Sequence, residues 1–342
     1  WALYYPTVID HRLDRGISSE SVILTWQQVL DYYRQGQLQS ALELLGEMDS
    51  SERTAGLLTF RAGLLLSVGR VTEARESINA AQQLEPGNSN AYALQAIIAV
   101  VQNDKDAALA LANQAVEYDP ASPVAKLALS YVQQAHFDIE AALASAEAAV
   151  SLDEQSALAW SRLAELRMAD GDLDRALEAA QQAVRLDPRL GRTQAMLGFA
   201  HLLRIDMQQA KAAFNQAIIF DQADPLPRLG LGLALVREGK LEAGRIEIEI
   251  AASLDPANAL IRSYLGKAYF EEKRYGLAGT QFDLARLRDP LDPTPWLYDA
   301  IQKQTQNRPI EALHDIQQSI GLNNNRAVYR SKLLLDQDQA AR

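Results

Sequence analysis

The chain has 342 residues, with 44 acidic side chains against 33 basic, a formal net charge of −11 and no cysteine. That balance disfavours nucleic acid and anionic lipid, which require a positive face. The absent thiols exclude disulfides and thiolate metal sites and fit either cytosol or periplasm, and no apolar run approaches the length of a membrane-spanning helix.

Residues 1–21 form the opening segment, WALYYPTVIDHRLDRGISSES. Trp1, Tyr4 and Tyr5 are aromatic, and Pro6 and Gly16 interrupt any helix. The segment reads as an extended N-terminal arm folding back on the first helical unit, or as a linker from an upstream domain. The two are compatible. A start at Trp1, without a charged region before an apolar core, reads as a fragment or a processed product.

From Val22 the apolar pattern becomes helical. A first unit, about Val22 to Thr54, fits the later ones only with a one-residue slip at Gly36, Leu38 and Ala41, as expected of a terminal repeat. Thereafter a small residue returns every 34 places: Ala74, Ala108, Ala142, Ala176, Ala210, Gly244, Ala278 and Ala312. A second keeps step with it: Ala81, Ala115, Ala149, Ala183, Ala217, Ala251, Ala285 and Ser319. A strict period of this length means stacked supersecondary units.

Ala157–Leu190 serves as the type unit. Trp160, Leu163, Ala164 and Leu166 stripe a first amphipathic helix. Gly171 stops it in the left-handed conformation, and Asp172 stands at an N-cap, as do Asp104, Asp138 and Asp206. Ala176, Leu177, Ala180, Ala183, Val184 and Leu186 stripe a second helix, closed by Asp187-Pro188. Ser122-Pro123, Asp224-Pro225 and Asp292-Pro293 open later first helices, where proline loses no hydrogen bond. The small residues set the approach of the helices: Ala176 between the two of its own unit, and Ala183 against the first helix of the next.

This unit resembles the tetratricopeptide repeat (TPR) in its length, in Tyr92, Trp160 and Trp296 near the start, and in Leu197-Gly198, Leu231-Gly232 and Leu265-Gly266. Tyr269, the alanine spacing and the closing Asp-Pro agree. The match runs over residues 22–326. It implies an all-α fold, an α-α superhelix of about nine helical hairpins, with first helices lining a concave face and second helices a convex one. Residues 327–342 read as the start of a further helix, whose Val328, Tyr329, Leu333, Leu334 and Leu335 lack a covering partner, so the natural chain is expected to continue. More narrowly, "WALYYP" and "NNNRAVYRSKLLLDQDQAAR" resemble the flanks of the array in large bacterial envelope proteins. Those proteins carry a FecR-type domain before it and an outer-membrane β-barrel after it. This resemblance implies a periplasmic array.

Chemistry leaves little trace. His11, His136, His201 and His314 occupy unrelated places with no zinc spacing. Gly230-Leu231-Gly232 lacks the rest of a phosphate loop, and no nucleophile elbow occurs. Neither catalysis nor a cofactor nor a metal is expected. The family's carboxylate clamp uses Lys and Asn on successive first helices. The matching places hold Ala93/Ile97, Leu127/Tyr131, Ser161/Glu165, Ala195/Phe199, Leu229/Leu233, Ser263/Lys267 and Leu297/Ile301, so the clamp is missing. In its stead Ile97, Leu127, Tyr131, Phe199, Leu202, Leu229, Leu233, Val236 and Phe270 are expected to line or edge the groove, either packed between first helices or open to an apolar or helical protein segment. That partner is a protein or peptide, and another part of the same natural chain qualifies. A periplasmic scaffold, a cytoplasmic adaptor or co-chaperone, and a module serving a catalytic domain outside this segment remain the alternatives.

Overall fold

The computed structural model describes residues 8–9, 20–49, 52–102 and 104–323. Among them it is all-helical, with eighteen α-helices and no strand. The expected segment 327–342 and most of the N-terminal arm lie outside the described residues.

The helices form nine hairpins. The first is α1 (Glu20–Arg34) with α2 (Leu38–Glu47). Then come α3 (Ala55–Ser67) with α4 (Val71–Leu84), α5 (Ser89–Val101) with α6 (Lys105–Tyr118), and α7 (Pro123–Ala135) with α8 (Ile139–Leu152). They continue as α9 (Ala157–Asp170) with α10 (Leu173–Leu186), α11 (Gly191–Leu203) with α12 (Met207–Phe220), and α13 (Pro225–Arg237) with α14 (Leu241–Leu254). The last are α15 (Ala259–Glu271) with α16 (Tyr275–Arg288) and α17 (Pro293–Thr305) with α18 (Pro309–Asn323). From α3 onward every first and every second helix begins 34 residues after its predecessor. The expected one-residue slip of the first hairpin is present: α2 starts at Leu38, 33 residues before Val71. The chain divides into an N-terminal unit, Tyr4–Arg167 with Glu178–Thr193, and a C-terminal unit, Met168–Leu177 with the residues from Gln194 on.

Caps set the phase. Ser122, Asp224 and Asp292 each accept a backbone N–H of the helix they precede, with proline in its first turn. Asp104, Asp138 and Asp172 accept from Ala107, Ala141 and Arg175. Asp206, expected to do the same, does not cap α12. Its carboxylate lies 3.4 Å from His201 Nδ1 and 3.9 Å from Arg204 Nε, and these charged or polar neighbours on the preceding turn compete for it.

Among the described residues the hairpin turn uses one left-handed residue. Gly171 supplies it at φ +88°, as expected, and Gly69 and Gly239 do likewise. The residue after it donates to a carbonyl five back, Lys240 to Leu235 and Asp206 to His201, which closes the preceding helix. In other hairpins the same place holds Phe137, Ile205, Lys273 or Asn307, all at positive φ.

The small residues stand where the helices touch. Ala74, Ala108, Ala142, Ala176, Ala210 and Ala278 are fully buried. At Gly244 a methyl group would meet the Gly232 carbonyl oxygen at 2.6 Å and the Val236 nitrogen at 2.9 Å, so α14 rests directly on the backbone of α13. The second small residue works on the next hairpin: Ala251 is packed in one cluster with Ile261 and Leu265 of α15.

Two outcomes are expected. Gly244→Ala should destabilise by about 1–3 kcal/mol despite alanine's better helix propensity, because the obstacle is backbone that cannot turn aside. Ile205→Gly should stabilise by about 1 kcal/mol. A β-branched residue is costly at φ +69°, and at 59% exposed this one returns little burial energy. Urea melts of the two variants check both signs.

Candidate binding face

The first helices carry the candidate face at the fifth, ninth and twelfth places of each 34-residue unit. The fifth place is part of the core from α3 to α15, where Thr59, Ala93, Leu127, Ser161, Ala195, Leu229 and Ser263 are all buried, and is half-buried at Leu297 of α17. The ninth place is half-buried at Tyr131, Glu165, Phe199, Leu233, Lys267 and Ile301, but buried at Gly63 and Ile97.

Of the nine residues expected from the sequence, the structure buries Ile97, Leu127, Leu202 and Leu229. It leaves Tyr131, Phe199, Leu233, Val236 and Phe270 half-buried. Leu229 packs with Ile248, Ile261 and Leu265, and Leu202 with Phe214, Leu231 and Ala234. Phe199 stands edge-on to Phe214 at 4.9 Å between ring centres, Leu233 bridges two clusters, and Phe270 faces Tyr275 at 5.6 Å. In the C-terminal unit the half-buried apolar residues of this face are Phe199, Leu233, Val236, Phe270 and Ile301, with Lys267 at the ninth place of α15 among them.

The N-terminal unit holds a polar cluster that the sequence reading missed. Arg162 of α9 has a fully buried side chain. Its Nε donates to Ser130 Oγ at 3.0 Å and its Nη2 to the Ser130 carbonyl at 2.9 Å, both on α7. The guanidinium lies 3.8 Å from the centre of the Tyr131 ring, and Nη1 is 3.1 Å from Glu165. Arg192 of α11 donates to the same carboxylate at 2.6 Å. Burial alone would lift the Glu165 carboxyl, but the two guanidinium groups outweigh it and hold it below the usual carboxylate range. Burial likewise pushes the Tyr131 phenol up, against the opposing pull of Arg192. A signal was present: in the column of Phe60, Leu94, Ala128, Met196 and Gly230, only Arg162 is charged. Across the same unit, Asp31, Arg34 and Gln35 at the end of α1 share a recess with Leu186, Asp187, Pro188 and Arg189. Among the described residues no group of three His, Asp or Glu side chains stands close enough to hold a metal ion.

Two sequence-family models match this chain, both described as tetratricopeptide repeat, one over residues 157–190 and the other over 61–124 and 229–293. Those segments match the tetratricopeptide repeat. No curated protein matches it by sequence. Solved structures share its fold. The Cut9–Hcn1 hetero-tetramer of the APC/C superposes with a TM-score of 0.68 at 20% identity, over 87% of this chain and 59% of that one. The human IFIT1 dimer with m7Gppp-AAAA does so with a TM-score of 0.57 at 16% identity, over 90% of this chain and 83% of that one. The chain thus spans about three fifths of the Cut9–Hcn1 chain it matches.

Arg162→Met should cost about 3 kcal/mol of stability at neutral pH, because Ser130 and Glu165 lose a buried partner. The pH dependence has a definite sign. A carboxyl held below its unfolded value contributes stability that is complete above that value and is lost as pH falls through the folded one. The wild-type array should therefore lose this share only in strong acid, and the Met variant should have less to lose over the same range. Denaturant midpoints at pH 7 and at about pH 3 check it.

Proposed function

We propose that this TPR array is a non-catalytic scaffold of the bacterial envelope that holds an apolar segment of a protein partner against the first helices of its C-terminal unit. One observation carries the reading. Phe199 and Leu233 are half-buried apolar residues at places where a carboxylate clamp would need Lys or Asn, and Val236 and Phe270, at the twelfth places of α13 and α15, extend them into an apolar row. Such a row gains most from an apolar segment that removes it from water. The periplasmic setting rests on the flanking sequences and is part of the proposal. The capped RNA held by the IFIT1 neighbour is not carried over, because a chain of net charge −11 offers no electrostatic attraction to phosphates.

A photo-crosslinking phenylalanine analogue at Phe199 or Phe270 should give one discrete protein adduct in cells. The same analogue at the exposed Glu178 of α10 should give none. Phe199→Gln should weaken that partner at least about tenfold, or 1.4 kcal/mol, with helicity retained. Adducts from position 178 and none from 199 or 270 would put the partner elsewhere. Recovery of the natural protein from the cytosol alone would reject the envelope setting.

A further inference from the structure

The ninth place of the repeat changes character along the chain. It is half-buried from Tyr131 onward and buried at Gly63 and Ile97. At Gly63 the cover is visible. Val8 and Ile9, which belong to neither helix nor strand, are 1% and 5% exposed. A methyl group at position 63 would stand 2.7 Å from Ile9 Cγ1, and 3.4 Å from both Ile9 Cδ1 and the Val8 carbonyl oxygen. The absent side chain of Gly63 is the space that Ile9 fills. Helix α3 shows the consequence: buried residues run all round it, from Leu57 and Leu58 through Gly63 to Leu66, with Trp26 and Tyr33 of α1 against Phe60. A helix buried on every side has no face left for solvent.

We propose that the first-helix face at α3 is a binding site for a non-helical aliphatic peptide, keyed by Gly63, and that the chain's own Val8–Ile9 occupies it in cis. A tethered ligand acts at an effective concentration in the millimolar range, so a free peptide of the same sequence cannot compete while the tether is in place. This site lies in the N-terminal unit and stands whether or not the Phe199 row binds a partner.

The test uses the full chain, whose lack of cysteine makes engineered thiols unambiguous. Ile9→Cys with Gly63→Cys should form an intramolecular disulfide on mild oxidation, whereas Ile9→Cys with Ala110→Cys, on the exposed side of α6, should not. Ile9→Asp, which places a carboxylate in an apolar socket, should release the segment. A fluorescent peptide with the sequence of residues 3–14 should then bind Ile9→Asp at least tenfold tighter than it binds the wild type. Adding Gly63→Leu should abolish that binding. Circular dichroism shows whether Ile9→Asp keeps its helices, and Ile9→Ala, which removes the same contact without a charge, repeats the comparison if it does not. Equal crosslinking of the two cysteine pairs would overturn the contact. Crosslinking at position 63 with no gain of peptide binding in either released variant would overturn the site and leave Val8–Ile9 as packing alone.

Discussion

The close approach of the two helices in each hairpin governs this structure. Where α14 meets α13, the backbone of Gly244 touches the backbone of Gly232 with no side chain between them. Elsewhere an alanine, fully buried, does the same task. That contact fixes the angle of each hairpin, and the hairpin in turn decides which side of the first helix meets its neighbours. With the fifth place committed to packing between first helices, the ninth and twelfth places become the face that can bind. A larger residue at the close contact would therefore disturb the binding face without touching it.

The repeat made the fold legible from sequence. A 34-residue period, capping residues at the helix starts and alanine at two fixed places are local signals, and local signals survive into the structure when every unit repeats them. The αL residue at Gly171 was legible for the same reason. Its equivalents at Phe137, Ile205 and Lys273 were not, because nothing in those side chains favours positive φ. There the hairpin imposes the conformation on whatever residue occupies the place.

The binding face was legible only in part. An apolar residue on a first helix looks alike in sequence whether it lies between helices, as Leu229 does, or half-open, as Leu233 does. The difference depends on how adjacent hairpins stack, which no single unit encodes. Arg162 is a single departure within a repeat, and its role is set mostly by neighbours on other helices rather than by its own unit. Its meaning comes from Ser130 and Tyr131 on one neighbouring helix and from Glu165, which Arg192 of a later helix shares. The cover over Gly63 comes from residues more than fifty places earlier, beyond the reach of any periodic pattern.

Nearly identical modules carry a hazard: any hairpin could stack on any other, in the wrong order or on another copy of the chain. The charged pairs between hairpins bear on that ambiguity. Lys211 of α12 meets Glu238 just after α13, and Arg245 of α14 meets Glu272 just after α15. The same two places hold Arg75 and Gln102 earlier in the chain, joined by a neutral acceptor, and at Leu109 the cation is absent altogether. A hairpin bearing Arg245 that stacked against the wrong successor would bury a guanidinium without its carboxylate, a mismatch that costs more than the correct pair contributes. The alanines make every junction possible, and the charges make the junctions unequal, so the order of the array is written in its few non-repeating residues.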